Sequence, residues 1–332
     1  MGPEVSNNSH ASPAFASQSP PLHAGLYVPT VAFFSSDESI DVETTKLHAK
    51  RLIEAGVSGL VTHGSSGEAV HLDHNERQLI IRATRDAINE ARRPGIPLIA
   101  GCGAQSTQEA VQLCHEAAES GSNYALVLPP AYYGILLTTQ HIIQHFLAIA
   151  DHSPIPILIY NFPGACSGLD LSSDIIIDLA GHPKIVGVKL TCGNTGKLAR
   201  IVDATARNNG RGGNKSFRTF GGSVDFTLPT LVIGGHGIIG GTGNIAPRAC
   251  MKLFTLWEQR KLDEARQLQA VVARGDWAAI EGGFVSIKAA LQHYCGYGGM
   301  PRKPCTLLEG EAASKQLAGF SELMILEQSL EE

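Results

Sequence analysis

No apolar run in this 332-residue chain approaches the ~20 residues needed to cross a bilayer, so no membrane partner is expected. Charge is sparse as well: Asp, Glu, Lys and Arg make up 17% of the residues and the net charge is -5. Without a basic excess there is no electrostatic footprint for nucleic acid or an anionic surface. The seven cysteines are scattered, odd in number and contain no CxxC pair. That argues against a disulfide framework or a zinc site and for a reducing compartment. Residues 1–24 carry no Lys or Arg, which a secretory or mitochondrial leader needs. Their Ser, Pro and Asn content predicts a disordered arm, and the location expected is cytoplasmic.

What is present is a core-forming composition, 43% hydrophobic. From residue 26 short apolar runs alternate with longer amphipathic stretches. The runs are YVPTVAFF (27–34), VSGLVTHG (57–64), PLIAGCG (97–103), YALVLPP (124–130), IPILIYN (155–161), KIVGVKL (184–190), FRTFGG (217–222) and GIIGGTG (237–243). Several are β-branched and nearly continuous, as strands buried on both faces are. Segments such as 41–55, 73–91, 107–120, 138–150, 195–207 and 247–260 read as helices. Eight strand-then-helix units predict an α/β fold, a (β/α)8 TIM barrel over 25–260. Residues 261–332 read as a C-terminal helical appendage, with helix over 262–295, a Pro/Gly-rich break at 296–304 and a last helix near 313–330. A doubly wound open sheet is the alternative.

In such barrels chemistry sits where the strands end. Lys189 ends the sixth run, and lysine is seldom fully buried unless paired or functional. Burial disfavours the charged amine, and a neutral amine attacks a ketone to form an imine. Tyr160 ends the fifth run and could relay protons. After the second run, Gly64, Ser65, Ser66 and Gly67 combine close backbone approach with two hydroxyls, a turn suited to a carboxylate. Tyr132 and Tyr133 follow a double proline at the end of the fourth run. On the residues alone, Lys189 equally fits a snorkelling lysine, Tyr160 a half-buried aromatic, and the Gly/Ser turn a plain βα turn. His71 and His74 lack further ligands and read as surface residues; Lys288 reads as structural or solvated. GHGIIG (235–240) precedes a strand rather than opening a helix, which excludes a dinucleotide site.

Taken together, GSSGE (64–68), LPPAYY (128–133), YNFPG (160–164), GVKLT (187–191) and GGS (221–223) occur in an order and spacing that resembles the dihydrodipicolinate synthase / N-acetylneuraminate lyase family of pyruvate-dependent class I aldolases. The likeness spans roughly residues 25–310. It implies Lys189 as the Schiff-base lysine and Tyr160 as the relay tyrosine. Ser65 and Ser66 match a pair that binds the pyruvyl carboxylate, Ser66 sharing in the relay, with Gly64 in the same turn. Tyr133 resembles a tyrosine lent across a subunit interface, and Gly222 and Ile239 match positions that shape the pocket with backbone groups. It also implies a homotetramer (a dimer of dimers), a small-molecule 2-keto acid substrate, no metal and no organic cofactor.

One departure bears on the substrate. Dihydrodipicolinate synthases carry an arginine soon after YN-x-P; here the stretch is Gly164-Ala165-Cys166-Ser167-Gly168, without a guanidinium fork for a second carboxylate. The GVKLTCGNTGKL and GSSGEAVHL wording resembles a fungal-type subgroup acting on 2-keto-3-deoxy sugar acids or on 4-hydroxy-2-oxoglutarate. The short side chains after Pro163 favour the polyhydroxy tail. A condensing synthase and a keto-deoxy-glucarate dehydratase are the further alternatives.

Overall fold

Eight short strands, buried almost throughout, pair in chain order, all parallel, and the last pairs with the first to close the sheet. In the computed structural model, which describes residues 19–209 and 217–330, they are β1 (Gly25–Pro29), β2 (Gly59–Thr62), β3 (Leu98–Gly101), β4 (Tyr124–Val127), β5 (Ile157–Asn161), β6 (Ile185–Leu190), β7 (Arg218–Gly221) and β8 (Gly237–Ile239). The helices between them are α1 (Val42–Glu54), α2 (His74–Glu90), α3 (Thr107–Glu119), α4 (Thr139–His152), α5 (Ser173–Leu179), α6 (Thr195–Asn209), α7 (Thr227–Val232) and α8 (Pro247–Glu258). This is the (β/α)8 TIM barrel that the alternation predicts. Then come α9 (Leu262–Ala290), α10 (Gly310–Ala318) and α11 (Ser321–Ser329), the expected C-terminal helices.

Side-chain alternation along each strand sorts the core into two layers. Tyr27, Ile99, Leu126, Leu158, Phe220 and Ile239 meet in one cluster inside the barrel. Leu26, Leu60, Leu98, Ala125 and Val188 pack outward among helix residues such as Ile81, Ile88, Phe146 and Leu198. Burying each large aliphatic of this kind contributes roughly 1.5–3 kcal/mol of transfer free energy. The helix starts are specified locally. Asp41 caps α1 by accepting from the Thr44 N–H, and Asp73 with Glu76 forms a capping box on α2.

The first strand differs from the expected 27–34. Pairing stops at Pro29, which has no N–H to offer a ladder, and Val31 and Phe33 instead join the outer core. The expected disordered arm lies outside the described residues through 18. From Ser19 the chain is seated under the barrel. Tyr124 Oη donates to the Pro20 carbonyl at 2.7 Å, Arg218 Nε donates to the Leu22 carbonyl at 3.1 Å, and Leu22 is 5% exposed. These contacts occupy the N-terminal ends of the strands, leaving the C-terminal ends open.

A fully buried pair ties the appendage to the barrel. Lys288 of α9 donates from Nζ to Glu68 Oε1 at 2.8 Å, with both side chains shut off from solvent. Lys288, expected to be structural or solvated, is structural: its ammonium also lies 4.6 Å from the Phe34 ring centroid. Glu68 further accepts from the Arg302 N–H at 2.9 Å and bonds His71 Nδ1 at 3.1 Å. Glu68 sits at φ 51°, so the turn that follows β2 is held in a left-handed conformation by partners from two distant segments.

Candidate active site

Neighbouring parallel strands set the central pair. Tyr160 of β5 and Lys189 of β6 are register partners. Both side chains point the same way, and Lys189 Nζ lies 4.2 Å from the centre of the Tyr160 ring. Each residue is 3% exposed. The phenol hydroxyl is 3.3 Å from Ser65 Oγ, which the turn after β2 supplies. Phe162 stacks beside Tyr160 at 5.8 Å between ring centroids.

These groups border a cavity of about 280 Å³ at the C-terminal end of the strands. Ser65, Ser66, Tyr160, Lys189 and Gly222 all line it. At Gly222 a side chain is excluded, since a Cβ would lie 2.1 Å from Thr191 Oγ1. The Thr191 hydroxyl is buried at the cavity wall with no partner among the described residues, which lets it bond a ligand. Gly64 borders an adjoining cavity of about 360 Å³, which shares Ser65, Tyr160 and Phe284 with the first and continues past Ala165 and Cys166. Small residues after Pro163 therefore open space, as the sequence suggests.

Two expected residues lie apart from this group. Ile239 is fully buried in the barrel's interior cluster and its side chain does not border the cavity. Tyr133 is 63% exposed on the loop after β4, edge-on to Tyr132 with 5.0 Å between ring centroids. The loop is held by Gln105 Oε1, which accepts from the Ala131 and Tyr132 N–H groups at 2.9 Å each. His71 and His74 are engaged with carboxylates: His71 with Glu68, and His74 with Glu109 at 3.0 Å and Glu116 at 2.7 Å.

The sequence reading missed Asp276. It stands on α9, 2% exposed, and borders the same cavity as Lys189. Its carboxyl group accepts from Ser223 Oγ, from Thr242 Oγ1 and from the Asp225 N–H at 3.0 Å. Burial holds its carboxyl above the usual carboxylate range, and the donors offset only part of that rise. Asp225 beside it is raised to about 6, by burial first and by the Asp276 charge second. No pattern in α9 marks Asp276, since one polar residue on a helix face is common. Further along α9, Gly283 has a φ of 58° and kinks the helix beside the same cavity.

An amine held against a phenol, a hydroxyl-bearing turn and a roofed cavity can form an imine and move protons around it. The comparisons agree in kind. Residues 22–321 match the Dihydrodipicolinate synthetase family. A protein of Emericella nidulans named "Probable 4-hydroxy-2-oxoglutarate aldolase, mitochondrial" is 53% identical over 94% of this chain and 98% of its own length. An L-threo-3-deoxy-hexylosonate aldolase of Hypocrea jecorina is 45% identical over 94% of this chain and 99% of its own. Among solved structures, a dihydrodipicolinate synthase family protein from Coccidioides immitis superposes with a TM-score of 0.82 at 32% identity, covering 94% of this chain and 99% of that one. With a match this long and relatives this similar, the chain belongs to the dihydrodipicolinate synthetase family, the family its motifs resemble.

Proposed function

We propose that this chain is a Schiff-base class I aldolase, a carbon–carbon lyase that cleaves a 2-keto-3-deoxy sugar acid to pyruvate and an aldehyde. The observation that carries the reading is the placement of Lys189 Nζ 4.2 Å from the Tyr160 ring, with the Tyr160 hydroxyl against Ser65. The amine of Lys189 adds to the substrate's C2 carbonyl, and loss of water leaves a protonated imine. Tyr160, having given its own proton to the hydroxyl that leaves C2 as water, takes the proton of the C4 hydroxyl; the C3–C4 bond breaks, and its electrons flow into the imine to give an enamine. The aldehyde leaves, C3 is protonated, and water releases pyruvate from Lys189. Ser65 and Ser66 hold the substrate carboxylate through hydroxyls and backbone amides, and Ser66 joins Tyr160 in moving protons. Gly64, Gly222 and the Ile239 backbone shape the pocket around the keto acid. This chemistry requires neither a metal nor an organic cofactor.

The names of the two fungal relatives support the substrate class and divide on its tail: one acts on a deoxyhexulosonate, and the other name points to a dicarboxylate. In the proposed assembly, a dimer of dimers, Tyr133 reaches a neighbour's relay. Its exposure, with Tyr132, Ile135 and Leu136 also standing in solvent on the same loop, supports that role. A cytoplasmic location completes the reading. Among the described residues no disulfide joins any of the seven cysteines, which suits a reducing compartment; the Emericella protein is named as mitochondrial, and cell fractionation decides between the two.

A pyruvate-release assay over stereochemically defined 2-keto-3-deoxy acids and 4-hydroxy-2-oxoglutarate tests the proposal. Turnover with pyruvate as product is expected. Loss of water without carbon–carbon cleavage would assign a dehydratase instead, and binding without any turnover would leave a keto-acid sensor.

A further inference from the structure

On the wall of the cavity near Lys189 stands a polar cluster that the aldol chemistry does not use. Asp276 accepts the hydroxyl protons of both Ser223 and Thr242, and all three residues border the cavity. A hydroxyl has one proton. With those protons directed at a buried carboxylate, Ser223 and Thr242 can offer a ligand only lone pairs. Around this cavity, among the described residues, Lys189 is the one cation, and its nitrogen becomes part of the imine. Arg77 lines the adjoining cavity, where it donates to the carbonyls of Gly101, Ala69 and Leu72. At this cluster a second substrate carboxylate would therefore meet the acceptor sides of Ser223 and Thr242 and the Asp276 carboxyl.

We infer that Asp276 sets substrate specificity by fixing Ser223 and Thr242 as hydrogen-bond acceptors, selecting a tail of neutral hydroxyl donors over a tail that ends in a carboxylate. The inference rests on the Schiff-base reading above and names the substrate class of that site. Asp276 is a positioning residue: it acts through the two hydroxyls rather than on the reacting atoms. The appendage helix α9 thereby contributes the specificity of a site whose reactive groups come from the barrel.

The test compares kcat/KM for stereochemically defined 2-keto-3-deoxyhexonates with kcat/KM for 4-hydroxy-2-oxoglutarate, in the full-length wild-type chain and in Asp276→Asn. The wild type should prefer its best hexonate. Asparagine keeps the shape but offers one acceptor oxygen and two donor protons, which frees a hydroxyl to donate. The ratio should then shift toward the dicarboxylate by about tenfold or more, chiefly through a raised KM for the hexonate. Ser223→Ala leaves the carboxylate bonded to Thr242 and the Asp225 amide, and it should move the ratio in the same direction. That second variant decides the matter if Asp276→Asn folds poorly. A wild type that prefers the dicarboxylate overturns the inference, as does a ratio unmoved within twofold in the folded variants or an equal fall of kcat on both substrates. Borohydride trapping of pyruvate on the wild type separates the two levels. A trapped lysine with an unmoved ratio sinks only the role of Asp276, whereas no trapped lysine sinks the reading beneath it.

Discussion

Tyr160 and Lys189 are register partners on adjacent parallel strands, and this pairing brings a buried amine to 4.2 Å from a phenol ring. Because the strands fix the pair, the two side chains need no loop movement to meet. Lys189→Ala should abolish turnover, because among the described residues no other lysine lines the cavity. Tyr160→Phe keeps the ring packed on Phe162 and removes only the proton carrier. Its kcat should fall about 10²–10⁴-fold while the imine with pyruvate still forms. Steady-state kinetics beside borohydride trapping check both.

Lys288 and Glu68 are each fully buried, so removing Lys288 takes away the Glu68 carboxylate's buried cation and leaves it to His71 and the Arg302 N–H. Lys288→Met should cost about 3–5 kcal/mol of stability. Lys288→Met with Glu68→Gln should recover part of that loss. Denaturant melts of Lys288→Met, Glu68→Gln and the double variant measure it, and additive losses would argue against coupling.

Asp225 gives a pH signature. Its pKa rises from the ordinary 3.8 to about 6 on folding, so the folded state holds the proton more tightly than the unfolded chain. Its contribution favours the fold below the unfolded value and is lost as pH rises toward the folded one. Asp225→Asn should therefore gain stability at pH 7, about 1 kcal/mol after allowance for a carboxyl that is partly open to solvent. The advantage should vanish near pH 4. Melts across that window test the sign; a gain that grows on acidification would refute the assignment.

Tyr133 is exposed in the single chain, and the proposal places it in a neighbour's relay. Lys189→Ala and Tyr133→Phe subunits, each nearly inactive alone, should complement when mixed and refolded together. Random pairing would restore about a quarter of wild-type activity, one intact site in each mixed dimer. Sedimentation of the wild type checks the assembly itself.

The barrel was legible because it repeats. Buried strands of a closed sheet are nearly continuous apolar runs, and eight of them show without reference to tertiary contacts. The proposed pair, Lys189 and Tyr160, was legible as a pair of strand-end residues because strand ends are where a lysine or tyrosine interrupts such a run. What stayed hidden was long-range. Lys288 meets Glu68 from 220 residues away and Asp276 meets Thr242 from 34, and a helix that buries one polar residue looks like any amphipathic helix. The end of β1 was misplaced because Val31 and Phe33 are as apolar as strand residues, although Pro29 marks the end of pairing. The roof formed by α9 depends on the conformation of Gly283, which neighbouring sequence does not dictate.

The central claim is that Lys189 is the nucleophile. Incubation with pyruvate and borohydride, followed by proteolysis and mass spectrometry, should find a reduced pyruvyl adduct on Lys189 alone and a matching loss of activity. An unmodified Lys189 in enzyme that still releases pyruvate, or an adduct on a different lysine that inactivates it, would contradict the account.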